Sequence, residues 1–186
     1  MGIYIEQPVM LHALNDMQLE LINEQINKIE FNPSNVVGDV TSSARTSVSS
    51  SLPYNTPATK HLKTLTAKTF AVNERQCEPS IHIAKYSKDQ QYLPHHDSCC
   101  DASDECKNFK KVWGDRIATL LVYLNDDFSG GVTEFPHLGI SFQPKKGMAV
   151  AWRSASCPHW ALHAGKPVTE GSKTILTIWV REKKTH

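Results

Sequence analysis

The chain has 186 residues, 20 Lys and Arg against 19 Asp and Glu, a formal net charge of +1 and 40% hydrophobic residues. These values fit a single domain of ordinary size with a substantial core. They exclude a disordered chain, and with no basic stripe there is no electrostatic case for nucleic acid.

The first residues, Met-Gly-Ile-Tyr-Ile-Glu-Gln, carry neither a basic n-region nor an apolar stretch. No apolar run approaches the ~18 residues of a membrane-crossing helix. A cytoplasmic location is therefore expected, with no membrane association. Residues 3–10 read as a short strand. Asn15 suits the N-cap of a helix running to about Phe31, with Leu19, Ile22, Ile26 and Ile29 at helical spacing. Residues 32–55, rich in Ser, Thr, Asn and Pro, read as an irregular segment. Thr56-Pro57 opens a second helix, with Leu62, Leu65 and Phe70 compatible with one buried face. Both helices are expected to pack as support for a sheet.

From Ser80 the texture changes to short strands. Candidates are Ile81–Tyr86, Tyr92–Asp97, Asp115–Leu124, Thr133–Phe135, Ile140–Gln143, Met148–Trp152, Ala161–His163 and Thr174–Val180, separated by Gly-, Pro- and Asn-containing turns. The expected fold is mainly β with N-terminal helices, built on a double-stranded β-helix, or jelly roll. The expected organisation is one domain over 1–186, with helical support over about 1–75 and the jelly-roll core over about 78–182.

The five cysteines, Cys77, Cys99, Cys100, Cys106 and Cys157, are an odd count that reads as reduced thiols in a cytosolic protein. Cys99, Cys100 and Cys106 crowd with Asp101, Asp104 and Glu105, but the paired CxxC spacing of a structural zinc site is missing. Residues 98–114 form a long connection of mixed charge between two strands, read as a substrate-gating lid.

The chemistry concentrates in His95-His96-Asp97, a distant His163, and Lys173 ten residues beyond it. On a strand, His95 and Asp97 share a face while His96 points the other way. Two imidazoles and one carboxylate on one flank of a metal leave the opposite flank open, the arrangement of non-haem Fe(II) oxygenases. Such ligands must be deprotonated, so acid should weaken the site. Lys173 offers a compact cation for an anionic co-substrate. A lone HxD pair among nine histidines is weak evidence by itself; the surrounding sequence supplies the rest.

That surrounding sequence resembles the prolyl 4-hydroxylases, Fe(II)/2-oxoglutarate-dependent dioxygenases. Tyr86-Ser-Lys-Asp-Gln-Gln-Tyr-Leu-Pro-His-His-Asp97 resembles their first ligand strand, and Arg116-Ile-Ala-Thr-Leu-Leu-Val-Tyr-Leu-Asn125 their central strand. Gly130-Gly131-Val-Thr-Glu-Phe-Pro136, Lys145-Lys-Gly147 through Trp152, Leu162-His-Ala-Gly-Lys-Pro-Val168, Gly171-Ser-Lys173 and Trp179-Val-Arg181 follow in the family's order. Arg45-Thr46-Ser47 also looks like a family element, so the resemblance covers roughly residues 40–181.

The resemblance implies His95, Asp97 and His163 as iron ligands and Lys173 as partner of the distal carboxylate of 2-oxoglutarate. Tyr86, Thr119 and Tyr123 match positions lining the co-substrate pocket, with Tyr123 placed to donate to the same carboxylate as Lys173. Tyr92, Arg116 and Trp179 match positions facing the peptide groove. The implied activity is hydroxylation of peptidyl proline to 4-hydroxyproline, of the procollagen type, releasing succinate and CO2, with ascorbate as reductant. The implied partner is a proline-containing peptide or protein. The other readings are hydroxylation of a different protein residue or a free amino acid, and a jelly-roll module that holds a metal without turnover. The chain departs from the family's common pattern at Asp89-Gln90, where many relatives have Gly-Gln, and at Val132 in the Gly-Gly-Glu-Thr turn. It also carries an unusual cysteine cluster. These departures bear on peptide specificity.

Overall fold

A computed structural model of the protein describes residues 5–36, 40–41 and 43–184. The strands of its two larger sheets are β1 (Val9–His12), β2 (Asn32–Pro33), β3 (Val48–Pro53), β4 (Ser80–Ser87), β5 (Tyr92–His95), β6 (Arg116–Tyr123), β7 (Thr133–Phe135), β8 (Ile140–Phe142), β9 (Met148–Arg153), β10 (His163–Gly165) and β11 (Ser172–Arg181). The helices are α1 (Asp16–Ile26), α2 (Pro57–Phe70) and α3 (Asp104–Lys110). A seven-stranded sheet runs β1-β9-β6-β11-β4-β3-β2, and a four-stranded sheet β8-β7-β10-β5 lies against it. All pairings in both are antiparallel.

Alternation along the strands gives the large sheet two faces with different tasks. One presents Ile81, Ile83, Ala118, Leu120, Val122, Ala149, Ala151, Leu176, Ile178 and Val180, packed with Leu19, Ile22 and Ile26 of α1 and Leu62 and Phe70 of α2. The other presents Ala84, Tyr86, Leu121, Tyr123, Val150, Trp152 and Ile175, and meets Phe135 of the small sheet. The helices therefore back the sheet, and the site lies between the two sheets.

Local chemistry sets the helix ends. Asn15 caps α1 in a reciprocal capping box with Gln18, and the helix stops at Asn27, short of the Phe31 expected from periodicity. Thr56 caps α2 the same way with Thr59, Pro57 opens it, and Ala71 ends it in the left-handed region at φ 54°. The first strand is shifted to Val9–His12; residues 3 and 4 of the expected strand lie outside the described residues. The stretch 32–55, expected to be irregular, contributes β3 as a strand of the large sheet beside β4, with Ser49 opposite Ala84 and Leu52 opposite Ile81. Its polar residues hid this strand, although Leu52 is fully buried. Residues 37–39 and 42 of that stretch lie outside the described residues.

The cysteine expectation is overturned. Cys99 is joined to Cys106 and Cys100 to Cys157, leaving Cys77 as the free, buried thiol. Pairing partners cannot be read from spacing when one member lies 57 residues away. The connection 98–114 is accordingly braced. It contains α3, is pinned by both disulfides, and is held at its start by the Ser98 hydroxyl, 2.6 Å from Arg116 O and 2.7 Å from Ser154 O.

Candidate active site

Strand pairing brings the distant histidine home. β10 pairs with β5 so that His163 lies directly opposite His95, with a register irregularity immediately after His163. β5 ends at His95, so Asp97 stands beyond the strand rather than on it. The carboxylate still converges: Asp97 Oδ1 is 3.8 Å from His95 Nε2 and Oδ2 is 3.8 Å from His163 Nε2. One donor atom from each of the three residues falls within 4.8 Å of the others.

The surroundings fix which atoms face inward. His95 Nδ1 is 2.8 Å from Leu93 O and His163 Nδ1 is 3.0 Å from Ala161 O. A carbonyl can only accept, so each Nδ1 carries the proton and each Nε2 presents a lone pair to the centre, the arrangement seen where imidazoles ligate metals. The Thr119 hydroxyl donates to Asp97 Oδ2 at 2.6 Å, fixing the carboxylate's rotation. Burial, with help from His163, drives the His95 pKa down to about 3, so its imidazole is neutral. Burial by itself would raise the Asp97 carboxyl, but His163 and His95, then Arg116 and Thr119, outweigh it and hold the pKa below its ordinary value. Two imidazoles and one carboxylate thus converge on one point, and the donor set fits a divalent cation with nitrogen and oxygen preference.

The cavity in front of this triad holds about 460 Å3 including its mouth. Lys173, Tyr86 and Thr133 line it together with Tyr92, Trp152 and Trp179. Lys173 is 2% exposed, and burial lowers its pKa to about 8. Its Nζ donates to Gly131 O at 2.8 Å and lies 4.7 Å above the Tyr86 ring; among the described residues it has no carboxylate partner. A buried cation with only a carbonyl and a ring for company costs stability unless an anion joins it.

The remaining expected residues divide. Tyr86 sits directly across from Lys173 in the β4–β11 register. Tyr123 is fully buried, and its hydroxyl donates to Thr133 Oγ1 at 2.7 Å rather than pointing toward Lys173. Tyr92 stacks on the His95 ring at 3.4 Å and receives the Arg45 guanidinium at 5.0 Å on its ring. Trp179 lines the cavity, with its indole N–H buried and unpaired among the described residues. Arg116 does not line it. Its guanidinium stacks 3.4 Å over Trp179, and its Nε pairs with Glu78 at 2.8 Å. Reasoning from residues passed over Thr133 and Trp152 as cavity residues. Thr133 was within reach, since it follows the Gly130-Gly131 turn that already stood out. Trp152 was placed on a strand, but nothing signalled that its ring would lie 4.6 Å from that of His163.

Comparison with known proteins agrees with this geometry. Residues 81–181 match the 2OG-Fe(II) oxygenase superfamily. A protein of Acanthamoeba polyphaga mimivirus, provisionally named a prolyl 4-hydroxylase, is 35% identical over 181 residues, covering 95% of this chain and 74% of that one. The prolyl 4-hydroxylase subunit alpha-1 of Bos taurus is 39% identical over 108 residues, covering 55% of this chain but only 20% of the subunit. Among solved structures, a viral collagen prolyl hydroxylase from Paramecium Bursaria Chlorella virus-1 in complex with 2OG superposes with TM-score 0.73 at 26% identity, covering 95% of this chain and 96% of that one. A Pseudomonas putida prolyl-4-hydroxylase shares the fold at TM-score 0.68 and 19% identity, covering 94% and 92%. The chain belongs to the 2OG-Fe(II) oxygenase superfamily, and its jelly roll is that superfamily's fold. It is a 2-oxoglutarate-dependent dioxygenase, and the family implies Fe(II) and 2-oxoglutarate as its cofactor and co-substrate. No helix among the described residues is long and apolar enough to cross a membrane.

Proposed function

We propose that the protein hydroxylates prolyl residues of a peptide or protein to 4-hydroxyproline, with His95, Asp97 and His163 holding Fe(II) and Lys173 holding the distal carboxylate of 2-oxoglutarate. The observation that carries this reading is the buried, carboxylate-free Lys173 ammonium in the same cavity as the triad. Bound there, ferrous iron with 2-oxoglutarate and O2 supplies the oxidative decarboxylation that yields succinate and CO2 and places one oxygen atom into a substrate C–H bond.

The side chains do the rest. The carbonyls of Leu93 and Ala161 keep both imidazole Nε2 atoms aimed at the centre, and Thr119 keeps Asp97 turned toward them. Lys173 orients the dicarboxylate by charge, with Tyr86 and the Thr133 hydroxyl beside it; Tyr123 acts through Thr133. Trp152 and Phe135 pack around His163 and keep water from its inner side. Tyr92 and Trp179 offer flat, apolar faces suited to a pyrrolidine ring, and Arg116 stiffens Trp179 from behind. We assign all of this to one domain over 1–186, its helices supporting the catalytic core.

We further propose collagen-type specificity, the substrate class after which the structurally similar viral hydroxylase is named. Ascorbate is assigned as the reductant that returns oxidised iron to the ferrous state. The test is a panel of proline-rich and collagen-like peptides incubated with iron, 2-oxoglutarate and O2. Mass spectrometry should show a gain of one oxygen on proline, matched by succinate. Succinate formation driven by peptides lacking proline, with proline peptides inert, would assign the chemistry to another residue. No succinate with any substrate would leave a metal-binding module.

A further inference from the structure

A second set of metal-ligating side chains lies on the other side of the His95–Asp97 segment. His96 turns away from the first triad, and one ring nitrogen of His96, the Cys100 sulfur and the Cys157 sulfur lie within 4.8 Å of one another. His96 Nδ1 is buried and has no hydrogen-bond partner among the described residues. Cys100 is exposed and the other two are half-buried, so solvent reaches the group. Two consecutive non-glycine residues, Ser156 and Cys157, adopt positive φ of 60° and 50°, a strained turn that holds the Cys157 side chain at this spot.

In the structure the two sulfurs form a disulfide between the first residues of the 98–114 connection and the turn after β9. We propose that when this disulfide is reduced, Cys100, Cys157 and His96 bind one Zn2+, so that a metal clip replaces the covalent one in holding the connection down. The step balances. A dithiol reductant passes two electrons and two protons to the S–S bond, giving two protein thiols and the oxidised dithiol. Zn2+ then displaces both thiol protons and forms two Zn–S bonds and one Zn–N bond, with water completing four-coordination. The two thiolates neutralise the metal's charge, and neutral His96 uses the nitrogen that has no other partner.

The dimensions suit the exchange. Tetrahedral zinc with Zn–S of about 2.3 Å and Zn–N of about 2.0 Å needs donor atoms ~3.5–3.8 Å apart. The Cα atoms of the two cysteines are 5.6 Å apart, so rotation of the side chains separates the sulfurs without moving the backbone far. The site shares no ligand with His95, Asp97 and His163.

The test uses the full chain, stripped of metal, as prepared and after reduction with a phosphine that leaves no competing thiol. Reduced protein should take up one more equivalent of Zn2+ than oxidised protein. Co2+ should give a thiolate-to-metal charge-transfer band only after reduction, which separates this site from the thiolate-free triad. Zinc should shield Cys100 and Cys157 from alkylation, read by peptide mass spectrometry. Cys157→Ser should remove the band, His96→Ala should weaken zinc binding at least tenfold, and Cys106→Ser should retain the band. Equal zinc uptake by oxidised and reduced wild-type protein, a band that survives Cys157→Ser, or alkylation of Cys100 unaffected by zinc would each overturn the proposal. The wild-type comparisons decide it even if a variant fails to fold.

Discussion

The two faces of the large sheet use the same strands for opposite purposes. On β6, Ala118, Leu120 and Val122 point to the helices, while Thr119, Leu121 and Tyr123 point to the opposite face, where Leu121 lines the cavity. On β11, Leu176, Ile178 and Val180 face the helices, while Lys173, Ile175, Thr177 and Trp179 line the cavity. The helix-backed core is predominantly apolar and contributes through area removed from water, ~1.5–3 kcal/mol per large side chain. The cavity face buries a lysine, two threonines and a tyrosine hydroxyl on those two strands, groups whose burial opposes folding unless partners are supplied. Thr119 and Tyr123 have protein partners, whereas the Lys173 charge has only a carbonyl and a ring. Stability is thus stored on one face and function on the other, and substitutions should separate them.

The largest effect is expected at the triad. His163→Ala should reduce succinate formation by more than ~100-fold, since removing a ligand should exceed the 10–100-fold typical of losing an outer partner. The fold should persist, because the histidine lies on a short strand away from the helix-backed core. Full turnover by this variant would remove His163 from the ligand set. Lys173→Met comes next and should split the two properties. It replaces a buried ammonium with an apolar side chain, so thermal stability should hold or rise. The 2-oxoglutarate concentration for half-maximal rate should rise by about two to three powers of ten, the scale of losing one member of a buried charge pair. An unchanged requirement would contradict anchoring by this residue.

Leu120→Ala tests the opposite face. It removes a fully buried side chain between sheet and helices, so it should lower unfolding free energy by ~2–5 kcal/mol in denaturant titrations. The 2-oxoglutarate requirement of the folded fraction should stay that of the wild type. A large change there would mean that the two faces are coupled.

What was legible in the sequence follows the same division. Strands such as Thr133–Phe135 and the starts of both helices were readable because alternation and capping act locally. His95, Asp97 and His163 were legible as a set only because several motifs resembled one family. No local rule places His163 opposite His95, which depends on the pairing of β10 with β5. The β3 strand escaped because its Ser-rich sequence looks like a loop and gains its strand character from β4 beside it. Tyr123 was placed on the right face, but its partner Thr133 belongs to the other sheet, and only the packing of the two sheets decides that contact. The disulfides escape the sequence for a related reason: an odd count suggests free thiols, whereas Cys100 meets Cys157 only through tertiary structure and Cys99 meets Cys106 across seven residues that follow no paired spacing.

The smallest predicted effect is the sharpest in sign. Burial lowers the Lys173 pKa from 10.5 to about 8 in the ligand-free protein. Both carboxylates of 2-oxoglutarate remain ionised at any pH above neutrality, so of these two partners only the lysine titrates between pH 8 and 10.5. In the proposed anchoring the dicarboxylate pairs with the ammonium. Its dissociation constant should therefore be flat below pH 8 and then rise about tenfold per pH unit, or ~1.4 kcal/mol. Stability of the ligand-free protein should respond in the other direction. Between pH 8 and 10.5 the unfolded chain keeps a proton on this lysine that the folded chain has released, so unfolding takes up a proton and this group's contribution to stability increases with pH. Calorimetric 2-oxoglutarate titrations and thermal melts of wild type and Lys173→Met over that range give both slopes. The affinity slope should vanish in the variant and its stability should lack the Lys173 contribution, seen as a difference from wild type that grows with pH; an affinity that strengthens with pH in the wild type would contradict a charged Lys173 as the anchor.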